Sequence, residues 1–176
     1  LGGTTGILTT NFGDSPLPLF DDPASCFFHR QASFIVNFFP EGTEVGTDVD
    51  YFYLPPIDSA HGKPVLGSGS IVSMGQDRPA VREVMTFMTT AESVKYEVEQ
   101  GLFVAPHKDV PQDWYPTDAL KGFAEILANA DTFRFDGSDL MPGAVGAGSF
   151  WTGITEWVGG ADLDSTLKSI DASWPE

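Results

Sequence analysis

The chain has a single cysteine among 176 residues, Cys26, which excludes an internal disulfide and any structural zinc site built on several thiolates. In its setting, Ser25-Cys26-Phe27-Phe28, it reads as a small packed hydrophobe. Positive charge is equally scarce. Nine Lys and Arg face 25 Asp and Glu, a net charge of −16, and such a surface repels phosphate backbones and argues against a nucleic-acid partner. The acids are spread along the chain as a solvated face and form no acidic tail. No apolar run approaches the roughly 18 residues of a membrane-spanning helix. The start at Leu1-Gly-Gly-Thr-Thr5, without initiator Met or signal peptide, reads as processed or truncated, with any targeting signal upstream. His29, His61 and His107 share no metal-ligand spacing and read as surface or core-edge residues. Nucleophile-elbow, phosphate-loop and His-Glu-x-x-His patterns are all missing, so no catalytic residue, metal or cofactor is assigned.

What is present suits a folded domain. Hydrophobic residues make up 41% and charged residues 19%, enough for a core. Residues 1–25, rich in Gly, Thr, Asp and Pro, read as an ordered loop or crossover. Ser33–Phe39 and Asp50–Leu54 are aromatic and β-branched and read as strands, closed by Pro40-Glu-Gly42 and Pro55-Pro56. Lys63–Met74 reads as a third extended segment, interrupted by Gly67 and Gly69. Helices then dominate. Asp77-Arg-Pro79 predicts a capped start, with Val81, Val84, Met85 and Met88 as a packing stripe that calls for no cofactor. Thr89-x-x-Glu92 fits a capping box for a helix ending near Gly101. Leu120, Phe123, Ala124 and Leu127 mark a third helix after Thr117-Asp118. A fourth runs from about Phe150 to Val158 and stops at Gly159-Gly160. Asp162 caps a fifth, striped by Leu163, Leu167, Ile170 and Trp174. The order predicts a mixed α/β or α+β chain.

The most informative stretch is Asp139–Trp151, where Met141-Pro142 opens a Gly/Ala-rich run that delivers Phe150 and Trp151 at a helix start. Two readings of Trp151 stand side by side. It is the first core residue of a buried helix, or its face is a platform for the C–H face of a sugar ring. Asp136 and Asp139 have the spacing of turn formers in a Gly/Ser loop more than that of a glycosidase pair.

Several motifs in order resemble the extracellular solute-binding proteins of sugar ABC importers, of the maltose- and α-glucoside-binding type. They are Arg30-Gln-Ala-Ser-Phe34, Val65-Leu-Gly-Ser-Gly-Ser70, Asp77-Arg-Pro-Ala-Val81, Thr89-Thr-Ala-Glu92, Gly101-Leu-Phe-Val-Ala-Pro106 and Met141-Pro142 through Phe150-Trp151. Leu54-Pro-Pro56 and Asp136–Met141 tilt the likeness toward the α-glucoside branch. The resemblance covers nearly the whole chain. It implies the C-terminal half of a two-lobed α/β protein of type II periplasmic-binding-protein topology, closing about a hinge on an oligosaccharide. Residues 1–67 would be a C-lobe segment, 68–137 a returning N-lobe segment, and 138–176 the terminal C-lobe helices.

The resemblance further implies stacking by Phe34 and Trp151, flanked by Gln31 and Ser33, with Gly67, Gly69 and Ser70 bringing backbone and hydroxyl groups to the cleft. Phe34 departs from the Trp usual at its position, and Ser70 from the acid frequent in the α-glucoside branch, which leaves the sugar open. Periplasmic or extracellular location and a membrane permease partner follow from the same likeness. The alternatives are a secreted glycoside-active enzyme or accessory module, and a binding protein for a non-sugar ligand. A segment lacking half of its fold would expose apolar faces and self-associate.

Overall fold

The computed structural model describes residues 2–175, which fall into two compact units. One comprises Leu1–Ser15, Leu66–Ser68 and Arg134–Glu176; the other comprises Pro16–Val65 and Gly69–Phe133. Six α-helices are described: α1 Gly3–Thr9, α2 Pro79–Phe87, α3 Lys95–Glu99, α4 Asp118–Ala128, α5 Trp151–Val158 and α6 Leu163–Asp171. Two short strands, β1 Pro64–Gly67 and β2 Thr132–Phe135, form the one described sheet. Backbone bonds from Asp131 N–H to Lys63 O and from Asp136 N–H to Gly67 O advance together along both segments, so the pairing is parallel.

The larger unit is built around Val98, Ala105, Val110, Tyr115, Leu120 and Ala124, with Val94, Trp114 and Phe123 packed at the margin. Thr117 caps α4 as its spacing predicts, its hydroxyl accepting from Leu120 N–H at 3.2 Å. The apolar positions Leu120 and Ala124 then face inward one turn apart. Tyr115 is buried and its hydroxyl accepts from Ala105 N–H at 3.2 Å, which satisfies two polar groups inside the core. Gly101 ends α3 at φ +71°, and a Cβ there would press on Leu120 and Pro116 at 3.2 Å.

Gly122, inside α4, has a different reason. The Tyr51 hydroxyl lies where its Cβ would be, and the Tyr51 ring packs on Phe123 at 4.5 Å between centroids. Burial pushes the Tyr51 phenol above its ordinary value, with Asp50, Glu125 and Asp118 adding to the shift. His107 is half-buried, with Nε2 3.0 Å from Met88 O, an anchoring contact at the core edge.

The smaller unit packs α6 on α5. Gly153 is buried, and a Cβ there would meet Ile170 and Thr166 at 3.0 Å, so the glycine lets the two helices approach closely. Asp162 caps α6 by accepting from Ser165 N–H at 2.9 Å, as the sequence predicts. Ser149 and Ser173 share a hydrogen bond of 2.5 Å that ties the chain after α6 to the segment before α5.

Several sequence expectations are corrected. Ser33–Phe38 is a 3₁₀ turn, and Asp50–Leu54 has no strand partner, although both are aromatic-rich. Lys63–Met74 is a strand only over β1. The loop expected over residues 1–25 contains α1. Asp77 does not cap α2. It pairs with Arg82 through two bonds of 2.5 and 2.6 Å, which hold its carboxyl below the ordinary range. The Thr89/Glu92 capping box is absent as well: Thr89 Oγ1 donates to Thr86 O, and a 3₁₀ turn over Ala91–Val94 precedes α3. The α6 stripe buries Ile170 alone, leaving Leu163, Leu167 and Trp174 a little under half exposed. Cys26 is half-exposed and its thiol donates to Phe28 O at 3.0 Å, so it is not a packed core side chain.

The surface is unusually large and apolar. The chain exposes 12838 Å². A folded monomer of this mass exposes about 8,400 Å², and two separately folded units of these sizes about 10,000 Å². Phe27, Phe28, Phe52, Ile57 and Ile71 of the larger unit are mostly exposed, and α2 buries no residue at all.

Candidate functional site

The site is a groove of about 410 Å³ in the smaller unit, formed by the segment Ser138–Trp151. Its entrance is made by a tight turn. Asp136 Oδ1 accepts from both Ser138 N–H and Ser138 Oγ–H, at 2.9 and 2.6 Å. These bonds from the Ser138 hydroxyl and amide hold the Asp136 carboxyl below the usual carboxylate range. Asp136 is thus a turn former, as expected from its Gly/Ser surroundings. A short 3₁₀ turn, Ser138–Leu140, presents Ser138, Asp139 and then Met141 to the groove.

Beyond Met141-Pro142 the Gly/Ala run is helical. Val145 and Gly146 N–H both donate to Pro142 O, at 2.8 and 2.9 Å, and Ala144–Phe150 winds as a π-helix into α5. Val145 points inward and is fully buried, while Gly143, Gly146 and Ala147 form a low floor. A Cβ at Gly146 would come within 2.5 Å of Ser138 O and 3.2 Å of Met141 Cβ, so only glycine lets the turn lie on the helix. Phe150 and Trp151 close the groove at the start of α5.

Trp151 is 68% exposed. Within the described segment it is therefore not a buried side chain. The arrangement offers an aromatic face beside a floor with almost no side chains, with the Asp139 carboxylate and the Ser138 hydroxyl as polar groups. Flat rings carrying hydroxyls fit such a surface by stacking and hydrogen bonding.

The seven residues implied by the resemblance are divided between the units. Gly67 and Trp151 belong to the smaller one; Gln31, Ser33, Phe34, Gly69 and Ser70 belong to the larger. Gly67 ends β1 and accepts Asp136 N–H at 2.9 Å, directly before the groove-forming turn. Its neighbour Ser68 donates its hydroxyl to Asp139 Oδ2. Phe34 is 45% exposed and meets the Phe38 ring edge-on at 6.3 Å, while Ile35 beside it is buried. Gln31 Oε1 accepts from Ala32 N–H at 2.9 Å, and Ser33, Gly69 and Ser70 are exposed.

Sequence reasoning took Asp139 only as a turn former beside Asp136 and Met141 only as the opening of the run, and it passed over Gly146. The signal for them was the same Met-Pro segment that yielded Trp151. Among the described residues no His, Cys, Asp and Glu come together in a metal-holding group, and no helix is long and apolar enough to cross a membrane.

No family model matches the chain, and no solved structure matches it. Curated proteins do. It is 46% identical over 175 residues to the alpha-glucosides-binding periplasmic protein AglE of Rhizobium meliloti, a match covering 98% of this chain and 38% of that protein. It is 42% identical over 174 residues to the osmoprotective compounds-binding protein GgtB of Synechocystis, covering 99% of this chain and 41% of that protein. The chain thus spans about two-fifths of the length of these relatives, and along nearly all of its own length it is homologous to proteins that bind solutes, one of them periplasmic.

Proposed function

We propose that this chain is the C-terminal part of the solute-binding component of an ABC importer. In this reading the whole protein works outside the cytoplasmic membrane, in the periplasm or extracellular space. There it captures an α-glucoside or related oligosaccharide and passes it unaltered to a membrane permease. It is a binding protein and not an enzyme. The whole protein is a two-lobed α/β fold of type II topology, with residues 1–67 and 138–176 in one lobe and 68–137 in the other. The two compact units divide the segment differently, grouping residues 16–65 with 69–133, whereas the proposed lobes place 16–65 with 138–176.

The observation that carries the ligand reading is the exposed Trp151 face on a groove floored by Gly and Ala. An exposed indole costs solvation that a core position would not, and stacking on a sugar face returns it. The large apolar surface elsewhere supports the view that a further part of the protein covers this segment. At about 25 cal/mol per Å² such surface favours a partner, and the segment studied alone would self-associate. The second relative supports a second reading of the ligand, an osmoprotective compound, on the same groove.

The test is incubation of the full-length parent protein with maltose, trehalose and sucrose, by titration calorimetry and product analysis. Saturable binding with intact sugar recovered is the expected result. Monosaccharides accumulating with enzyme-like kinetics would overturn the reading.

A further inference from the structure

We propose that Asp139 sets the charge preference of the Trp151 groove, with Ser68 as its positioning residue. The groove then accepts neutral, hydroxyl-rich ligands and rejects anionic ones. The proposal rests on the sugar-binding reading above and deepens it. Two carboxylates lie three residues apart in one loop, and the structure gives them different work. Asp136 has Oδ1 committed to two donors from Ser138, so it holds the turn. Asp139 lines the groove, and among the described residues it is the single charged side chain to do so. Ser68, leaving β1, donates its hydroxyl to Asp139 Oδ2. That bond fixes the carboxylate and leaves Oδ1 as an acceptor for a donor in the groove.

An ionised carboxylate only accepts hydrogen bonds. A sugar ring stacked on Trp151 brings hydroxyl donors to it. A uronate, an aldonate or a sugar phosphate brings a second negative charge, no donor at that point, and no lining cation to offset the repulsion. Like-charge juxtaposition at a binding surface costs several kcal/mol, which corresponds to discrimination on the order of 100-fold. Selection here works by exclusion as well as by attraction. A lining carboxylate beside an aromatic face would also admit a quaternary ammonium cation, and the experiment has to separate the two.

The experiment is titration calorimetry on the full-length parent protein with maltose against maltobionate, trehalose against trehalose 6-phosphate, and choline. The native protein should prefer the neutral sugar of a pair on the order of 100-fold. Asp139→Asn keeps the side chain's shape and an acceptor oxygen, and should reduce that preference to within about tenfold. Ser68→Ala, which keeps the charge but loosens its position, should weaken the neutral sugar and retain rejection of the anion. It serves as the second arm should Asp139→Asn fold poorly. An unchanged preference in Asp139→Asn, alongside weakened sugar binding in Trp151→Ala, overturns this proposal and leaves the sugar reading standing. Sugar affinity unmoved by Trp151→Ala overturns the groove reading itself. Choline binding more tightly than either neutral sugar overturns the preference in favour of a cation site.

Discussion

The two units differ in how much interior each builds for itself. Around Val98 and Leu120 the larger unit makes a conventional interior, with helix α4 capped, striped and turned inward, and even a tyrosine hydroxyl paired inside. The smaller unit buries little more than Val145, Gly153, Thr166 and Ile170. It leaves Leu140 and Trp151 mostly in solvent and Trp157, Leu163, Leu167 and Trp174 a little under half exposed. The larger unit pairs a closed interior with an exposed apolar surface that includes Phe27, Phe28 and Ile71, whereas the smaller one has almost no interior of its own. The exposed apolar faces of both mark surface shaped to meet something else. Close backbone contact replaces side-chain volume in the smaller unit: Gly146 lies on the turn, and Gly153 lies on α6.

The sharpest break of this contrast would come from the interior. Leu120→Ala should lower stability by about 2–4 kcal/mol, as for other large-to-small core changes, with little direct effect on the groove. Denaturant unfolding of the full-length protein is the measure. A loss below about 0.5 kcal/mol, the usual size of a surface change, would show that this cluster is no true core. Next comes Trp151→Ala. It should weaken sugar binding by about 1–3 kcal/mol while leaving the thermal transition cooperative and close to native. Loss of that transition, seen by circular dichroism, would move Trp151 from platform to packing and erase the contrast.

The smallest effect belongs to the Asp136 turn. Its carboxyl is depressed in the fold below the ordinary 3.8, so its contribution is present above that value and fades as pH falls through the folded one. Ser138 amide shifts followed by NMR down an acid titration should therefore move below the ordinary value, and Asp136→Asn should remove that step. A Ser138 midpoint above 3.8 would reverse the sign.

Which parts were legible follows from where the information sits. Helices α4 and α6 carry their own instructions, a capping side chain followed by an apolar residue one turn on, and both were readable. The end of α5 at Gly159 was readable for the same local reason. β2 was not, because its partner lies more than sixty residues away and a four-residue strand has no period of its own. Ser33–Phe38 misled because a short aromatic run fits a strand and a turn equally well until a partner is present. α1 was hidden by its glycines, since it starts from Gly2 at φ 45° with no side-chain cap. At the groove, Trp151 announced itself as an aromatic after a run of small residues. Asp139 did not, because in sequence it is one of two acids in a polar loop. Only the hydroxyl of Ser68, 71 positions earlier in the chain, separates its role from that of Asp136.

The π-helix over Ala144–Phe150 gives this groove an evolutionary handle. Wide helical turns of this kind sit one inserted residue away from an ordinary α-helix and recur at functional sites. Each residue gained or lost within the run swings the side chains after it by about 100° around the helix axis. The run is almost all Gly, Ala and Ser, with Val145 and Phe150 as its larger members, so most such length changes remove little packing. Single-codon insertions and deletions here would re-aim the indole against the floor in discrete steps, provided α5 also shifts so that Gly153 keeps its place against Ile170 and Thr166. The scaffold could pass from one ligand outline to another through changes of length, without a single substitution among the residues that face the ligand.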